Sequence, residues 1–491
     1  MTRHHHAMAV ALLLTSPAVA AAQDAISVLN AVAKAMHLEQ VKTIRYTATG
    51  SAYAIGQSFT ADGPYPRSSM KFVRDFDLDG FSARQEFVNT RVDKRGGGAG
   101  RVGAEVMQVQ YPNRNAAWPQ HVFLWLNPAG FVKEAPKHNP ALTIERVGGK
   151  RYRVITVIVN DRYTVQGYVN DADLIDHVDT HLDNNPAVGD PPLDGVFTGY
   201  RDFGGVIFPS RIVHHLAEQP SFEFDITSVT PNVEVNTTPP AADGARGGGG
   251  RGGAGRGGGA GGAPQVTNQA IAKGVYYLTG AALHSVAVEF ADHVAVIDAP
   301  ASEARSLAVM VEVGKLVPNK PITYLISTHH HFDHTAGLRA YAAEGATIVT
   351  TPRNAAFFQK WWSKPAVLTK DKLAESGRTA RFESVSDRKV MSDATQRLEM
   401  YVVTGTDHVE GMLMVYVPAE KLLIESDLFT ATAPGAAAAE NQAGDNALPA
   451  QLLANIKRLK LDVDRIVPLQ GPGVASRADL ERAAGSGSAA H

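Results

Sequence analysis

The sequence contains no cysteine among its 491 residues. This absence excludes disulfide bonds, cysteine nucleophiles and metal sites built from thiolates. An excess of charge of one sign is absent as well, because 47 lysine and arginine residues nearly balance 49 aspartate and glutamate residues. A nearly neutral chain gives no electrostatic reason to expect nucleic acid as a partner. Any metal site must therefore draw its ligands from histidine, carboxylate or other oxygen groups.

Apolar runs long enough to cross a bilayer are also lacking, so no membrane span is expected. The N-terminus carries a shorter run at residues 7–14 (AMAVALLL), which follows Arg3 and precedes the small residues 18–22 (AVAAA). This order of positive charge, short apolar run and small-residue cleavage region is typical of an export signal. We therefore predict a signal peptide over residues 1–22 and a periplasmic or secreted protein.

A glycine- and arginine-rich segment divides the remaining chain. Residues 244–262 read GARGGGGRGGAGRGGGAGG, which cannot bury enough apolar surface to order itself. Such repeats can bind single-stranded nucleic acid, but in an exported protein they favour a flexible linker. We place the linker at residues 241–264, between a domain over residues 23–240 and another over residues 265–485.

The N-terminal domain is predicted to be β-rich and antiparallel. Residues 152–159 (YRVITVIV) and 163–169 (YTVQGYV) flank the polar turn at residues 160–162 and predict a hairpin. Successive strands without crossover helices indicate a meander or half-barrel. The pattern weakly resembles the curved sheets of periplasmic lipoprotein-carrier proteins. The resemblance leaves open whether this domain holds a ligand or serves as a structural module.

The C-terminal domain alternates strands and helices, which predicts a layered α/β domain. Its most informative feature is the run at residues 328–334 (THHHFDH), which follows the apolar strand at residues 321–327 and precedes a helical pattern from residue 336. Histidine and carboxylate are the ligands that zinc accepts where thiolates are missing. The run therefore predicts a metal site on a strand-to-helix loop, where open α/β sheets place their sites.

The residues of this run and four landmarks elsewhere in the domain resemble the metallo-β-lactamase fold superfamily, whose signature is His-x-His-x-Asp-His. Asp298 ends a strand in VAVIDAP, His408 follows TGTD, Asp427 follows LLIES, and Gln470 lies in VPLQG. The resemblance implies an αββα sandwich with one or two zinc ions per chain. His329, His331 and His408 would form the first metal site. Asp333 and His334 would form the second, with Asp427 between the two metals.

The resemblance also implies roles beyond ligation. Asp333 would orient a zinc-bound hydroxide and so act as the catalytic residue, and Asp298 would hold a ligand imidazole from behind. One departure stands out: Gln470 occupies the position of the last histidine of the second site. This leaves three outcomes open, which are a weak second metal, a site completed by Gln470 or water, and a mononuclear enzyme. His284 precedes a strand and is either structural or part of the site rim.

The leading functional hypothesis is a zinc-dependent hydrolase that attacks an ester, thioester, lactone or β-lactam bond of a small-molecule substrate with metal-bound hydroxide. A first alternative is a mononuclear iron oxygenase of the persulfide dioxygenase type, because two histidines and one carboxylate, here His329, His408 and Asp427, are a known iron ligand set. A second alternative is a non-catalytic envelope binding protein. The sequence does not determine the oligomeric state.

Overall fold

The computed structural model describes residues 17–98, 102–183, 187–240, 264–364, 366, 368, 370–430 and 447–485. Residues 1–16 of the predicted signal peptide and residues 241–263 of the predicted linker lie outside these ranges, so both assignments stay predictions. Within the described residues, none of the helices has the length and apolar character needed to cross a membrane.

The N-terminal domain is built on one antiparallel sheet of eleven strands in the described residues. Its spatial order is β4-β3-β2-β1-β11-β10-β9-β8-β7-β6-β5, so the first strand pairs with the last. The predicted hairpin is present as β6 and β7, which pair from Val159 and Tyr163 outward. The strands are β1 Thr43–Tyr53, β2 Arg67–Asp77, β3 Ser82–Arg91, β4 Glu105–Gln110, β5 Ala141–Val147, β6 Lys150–Val159, β7 Tyr163–Val169, β8 Ile175–His181, β9 Pro192–Asp202, β10 Ile207–Leu216 and β11 Gln219–Pro231.

Three helices cover one face of this sheet: α1 Pro17–Ala35, α2 Trp118–Trp125 and α3 Pro128–Glu134, the last followed by a 3-10 turn at Ala135–His138. From α1, Leu29 and Val32 are buried in the same apolar core as Trp125 and Phe131 of α2 and α3. Helices between β4 and β5 were not expected from the sequence. They are short and each has proline at its first or second position, and the carboxamide of Asn127 caps the second one by accepting from Gly130 N.

The C-terminal domain contains two sheets that pack face to face. The larger has the order β12-β13-β14-β15-β16-β17-β18, and the smaller has the order β19-β20-β21-β22-β23-β24. The strands are β12 Thr267–Ala272, β13 Val275–Thr279, β14 Ser285–Glu289, β15 Val294–Ile297, β16 Ile322–Ile326, β17 Thr347–Thr350, β18 Arg381–Ser384, β19 Arg388–Ser392, β20 Arg397–Val402, β21 Leu413–Val417, β22 Leu422–Glu425, β23 Arg465–Pro468 and β24 Ala475–Ser476.

Helices cover the outer face of both sheets and complete the predicted αββα sandwich. The inner core joins the two sheets through residues such as Ile297 and Ile424, which are fully buried. On the outside, Val309 of one helix packs with Leu325, and Leu452 of another packs with Ile466. The helices are α4 Glu303–Leu316, α5 Phe332–Thr335, α6 Leu338–Glu344, α7 Pro352–Trp362, α8 Lys372–Ser376, α9 Ala447–Arg458 and α10 Arg477–Gly485, with a 3-10 turn at Pro418–Glu420.

The parallel parts of the two sheets place polar residues at one edge of the sandwich. β15 and β16 run parallel, and so do β22 and β23. Asp298 follows β15, the histidine run follows β16, Asp427 lies two residues after β22, and Gln470 lies two residues after β23. Because carboxyl ends of parallel strands share an edge, residues separated by more than a hundred positions in sequence meet there.

Candidate metal centre

Four side chains of the predicted set converge at this edge: His329, His331, His408 and Asp427. One ligand atom from each lies within 4.8 Å of all the others. His329 and His331 lie on the loop between β16 and α5, and His408 lies on the loop between β20 and β21. His329 and His331 are fully buried, whereas about a tenth of the His408 and Asp427 side chains is exposed. The group is therefore enclosed but can be reached from one side.

The unpartnered nitrogens of these imidazoles test whether the group fits a metal ion. The buried Nε2 of His329, Nδ1 of His331 and Nε2 of His408 accept or donate no hydrogen bond in the described residues. Two of these nitrogens, in His329 and His408, lie 3.2 Å from Asp427 Oδ2. A buried nitrogen that makes no hydrogen bond destabilises the folded protein. A metal ion bound by these nitrogens would remove that free-energy cost. Three imidazoles and one carboxylate suit zinc.

Asp298 lies behind the imidazoles and contacts them directly or through Thr328. Its Oδ2 accepts from His334 Nδ1 at 3.0 Å and from the Thr328 hydroxyl at 2.8 Å, and the Thr328 oxygen lies 3.0 Å from His329 Nδ1. Because a carboxylate only accepts, His334 carries its proton on Nδ1. The Thr328 hydroxyl donates onward, so His329 also holds its proton on Nδ1. Both rings thus present Nε2 toward Asp427.

Two aspartates at the site have a left-handed backbone. Asp298 has a φ of 57° and Asp427 has a φ of 61°. Residues other than glycine adopt this region rarely, although aspartate and asparagine tolerate it better than most. Such backbone strain gathers at functional sites, where the surrounding structure holds it in place. The conformation turns both carboxylates back toward the histidine run.

Burial favours the neutral form of His329 and His331, two imidazoles of the first site. Desolvation lowers the pKa of His329, and it lowers the pKa of His331 well below its usual range with the help of neighbouring His329 and His408. A neutral imidazole is the form that binds a metal ion. Burial also opposes the charged form of His334, but the carboxylates of Asp427 and Asp298 outweigh it and raise the pKa of His334.

The residues predicted for the second site are only partly assembled. His334 Nε2 lies 3.0 Å from Asp427 Oδ2, so His334 borders the group. Asp333 lies on α5, and its side chain is exposed to solvent and accepts from Gln57 Nε2 at 2.9 Å. Gln470 is half-buried and pairs with Leu283 through an isolated β-bridge. Neither Asp333 nor Gln470 belongs to the group of four.

His284 has a structural position next to Gln470. It is buried, its backbone N donates to Leu469 O at 2.8 Å, and its Nε2 lies 2.7 Å from Gly471 O. Because a carbonyl accepts, Nε2 is the donor. His284 thus fixes the segment that carries Gln470. Of the two readings left open by the sequence, this placement favours the structural one.

Two residues of the N-terminal domain touch the centre and were not foreseen. Ser58 O accepts from His331 Nε2 at 3.0 Å, and Gln57 donates to Asp333. These contacts join residues 273 and 276 positions apart. No motif in the loop after β1 signals them, because they depend on how the two domains pack together. A cavity of about 540 Å³ opens beside this loop, and its lining includes Phe59, Tyr65, Pro66, Lys94, Arg95 and Asp407.

Comparison with known proteins agrees with the geometry of the C-terminal domain. Residues 280–470 match the family model described as the metallo-beta-lactamase superfamily. Similar solved structures include a metallo-beta-lactamase from Pontibacter korlensis, at 19% identity over 46% of this chain and 100% of that chain, with a TM-score of 0.36. Another is the mono-zinc form of the metallo-beta-lactamase FIM-1 from Pseudomonas aeruginosa, at 20% identity over 45% of this chain and 95% of that chain, with a TM-score of 0.35.

A structure with a different printed activity is also similar. It is the rubredoxin oxygen:oxidoreductase from Desulfovibrio gigas, at 14% identity over 45% of this chain and 60% of that chain, with a TM-score of 0.36. At these identities and TM-scores the solved structures do not distinguish hydrolysis from redox chemistry. The family match ends at Gln470 and begins after the predicted linker, so it leaves the N-terminal domain outside.

Proposed function

We propose that the chain is a zinc-dependent hydrolase of an ester, thioester, lactone or β-lactam bond. The match of residues 280–470 to the family model of the metallo-beta-lactamase superfamily supports this proposal. The observation that carries this proposal is the convergence of three imidazoles and Asp427 within 4.8 Å, with one buried nitrogen of each imidazole lacking a hydrogen bond in the described residues. His329 and His408 would hold zinc through Nε2 and His331 through Nδ1. A bound zinc ion would supply a Lewis acid and lower the pKa of a coordinated water to about 7.

The protein's own side chains determine charge and access at this centre. The carboxylate of Asp427 balances part of the charge of a divalent cation among neutral imidazoles. Asp333 is exposed at the rim, with Oδ1 engaged by Gln57. Under this proposal, its carboxylate would orient an attacking water and accept a proton from it. The cavity beside Asp407, the residue before His408, has the volume of a small-molecule site.

A hydrolysis panel on the full-length protein tests this proposal. The protein is stripped with a chelator, reloaded with zinc, and assayed with an ester, a thioester, a lactone and a β-lactam. We expect zinc-dependent hydrolysis of at least one substrate and its loss in His331→Ala. A control variant, His37→Asn, changes an exposed histidine outside the centre at a left-handed position that asparagine tolerates.

Elemental analysis of the same preparation decides between the hydrolase and the oxygenase. One iron and no zinc per chain would overturn the hydrolase proposal in favour of the oxygenase. A zinc-loaded protein that hydrolyses none of the panel would overturn it in favour of a binding protein.

A further inference from the structure

Two loops of the N-terminal domain flank the metal centre. The first spans residues 54–66 between β1 and β2, and the second spans residues 92–98 after β3. Backbone hydrogen bonds attach both loops to the segments that carry the ligands. Phe332 N donates to Gly56 O at 3.1 Å, Glu410 N donates to Phe59 O at 2.7 Å, and Gly96 N donates to Asp407 O at 2.9 Å. Each attachment lies within two residues of a predicted ligand.

The backbone carbonyl of Ser58 controls one ligand directly. It lies 3.0 Å from His331 Nε2 and 3.0 Å from His330 Nε2, and all three residues are buried. A carbonyl oxygen only accepts, so the proton of His331 resides on Nε2. The Nδ1 of His331, which has no hydrogen bond, then carries the lone pair that is available to a metal ion. The N-terminal domain therefore selects the tautomer of a metal ligand.

Gln57 acts on the neighbouring residue of the same motif. Its amide nitrogen donates to Asp333 Oδ1 at 2.9 Å, and its backbone carbonyl accepts from Gly97 N at 2.9 Å. The side chain of Asp333 is exposed to solvent. Among the described residues, the hydrogen bond from Gln57 is the contact that holds its carboxylate in place. The loop at residues 92–98 thus holds the loop at residues 54–66, which in turn holds Asp333 of the histidine run.

Gly97 shows how closely the two loops approach the ligands. A β-carbon at this position would lie 2.0 Å from Gln57 Oε1, 2.8 Å from His331 Cε1 and 3.0 Å from His331 Nδ1. The backbone of Gly97 is not left-handed, so glycine is required here for space and not for conformation. Any side chain would press on the imidazole ring and on the amide that holds Asp333.

We propose that the N-terminal domain completes the metal centre, with Ser58 and Gln57 as positioning residues for His331 and Asp333. This inference rests on the metal centre of the proposed function, and it adds that the centre is competent only as a two-domain unit. Partners that orient a metal ligand typically change metal affinity about 10–100-fold when removed. The N-terminal domain would thus contribute to metal affinity although the family match does not include it.

Zinc affinity of full-length variants tests this inference without relying on activity. In Gly97→Ala, we expect the zinc dissociation constant to rise about 10–100-fold, since the added methyl group displaces His331 and Gln57. The matched control is Gly314→Ala, whose new β-carbon meets nothing within 4 Å on α4. The measurement is competition for zinc with a chromophoric chelator, and a thermal melt of each variant shows that it is folded.

A second variant keeps the inference testable if Gly97→Ala fails to fold. Gln57 is half-buried at the rim, so Gln57→Ala removes the contact with Asp333 with little loss of core packing. We expect weaker zinc binding and a changed visible spectrum of the cobalt-loaded protein. In the Asp333→Ala background the same substitution should have no further effect, because a double-mutant cycle isolates the direct contact.

The outcomes separate this inference from the proposed function. Wild-type zinc affinity and an unchanged cobalt spectrum in both folded variants would overturn the role of the N-terminal domain while leaving the metal centre intact. A wild-type protein that binds no zinc would overturn the proposed function itself. An effect of Gln57→Ala that persists in full after Asp333→Ala would also contradict the proposed contact.

Discussion

Both domains bury histidine side chains, but the C-terminal domain alone brings them into one group in the described residues. In the N-terminal domain, His214 donates from Nε2 to Leu126 O, and His121 accepts from the indole of Trp125. Each leaves its Nδ1 without a hydrogen bond, and each histidine of the metal group likewise leaves one ring nitrogen without a hydrogen bond. Burial and an unpartnered nitrogen are therefore not sufficient to indicate a site. Convergence of several imidazoles on one carboxylate is the difference.

The largest expected effect comes from removing a ligand. His408→Ala should raise the zinc dissociation constant more than about 100-fold, because a coordinating nitrogen is lost. Removal of a residue that only orients a ligand typically weakens metal binding by about 10–100-fold. His214→Gln removes a buried histidine of the other domain and should leave zinc affinity unchanged. Competition with a chelator measures the zinc dissociation constant of both variants. Equal constants would contradict the assignment of the zinc site to the C-terminal domain.

Asp298 offers a smaller effect on the same centre. Asp298→Asn keeps the left-handed backbone that asparagine tolerates but removes the charge and one acceptor that fix Thr328 and His334. We expect zinc affinity to fall about 10–100-fold. Ser426→Ala removes a single donor to Asp298 and should change affinity much less. An unaltered zinc dissociation constant in Asp298→Asn would show that Asp298 does not position the imidazoles.

Gln470 sharpens the comparison within the centre itself. Gln470→His restores an imidazole at the second site, and we expect zinc bound per chain to rise toward two at saturation, because imidazole binds zinc better than a neutral amide oxygen. Gln470→Ala serves as the control and should not gain metal. Elemental analysis gives the count, and a count that does not change in Gln470→His refutes the assignment of this position.

A last prediction concerns stability instead of zinc affinity, at the buried histidine of the other domain. Burial, aided by the guanidinium of Arg74, lowers the pKa of His214 to about 3, from an ordinary value of 6.5. The unfolded chain then binds the proton more readily than the folded chain, so stability falls as pH drops from 6.5 toward 3. The slope is about 1.4 kcal/mol per pH unit for this group.

His214→Gln should reduce that acid slope by about one proton between these pH values. Urea unfolding followed by circular dichroism at pH 6.5, 5.5 and 4.5 measures the change. An identical slope in the variant and the wild type would mean that His214 is not neutral and buried in the folded state.

The sequence was informative where ligands are close along the chain or follow strands. The histidine run lies within seven residues, and Asp298, His408 and Asp427 each follow an apolar strand, so the strand ends could be predicted from the pattern. The sandwich fold was implied by the resemblance to the metallo-β-lactamase superfamily. The short helix α5 was not foreseen, and it places Asp333 and His334 on helix instead of loop. Asn127 and Pro128, a capping residue followed by proline, were the available signal for α3.

Contacts between domains could not be predicted in this way. Gln57 and Asp333 are 276 residues apart, and their meeting depends on docking of two cores and not on local pattern. Gly97 lies in a short glycine run at residues 96–98, which resembles any turn until the imidazole of His331 is placed beside it. The sequence alone does not distinguish a glycine that lets a neighbouring side chain approach the backbone from a glycine that adopts a left-handed turn.

Metal content of the purified full-length protein is the most direct measurement of the central claim, which is that the three histidines and Asp427 form a zinc centre. After dialysis and reloading with zinc, elemental analysis should find at least one zinc per wild-type chain and a clear loss in the triple variant of His329, His331 and His408. A wild-type chain that retains no zinc, or a triple variant that retains as much as the wild type, would contradict the account.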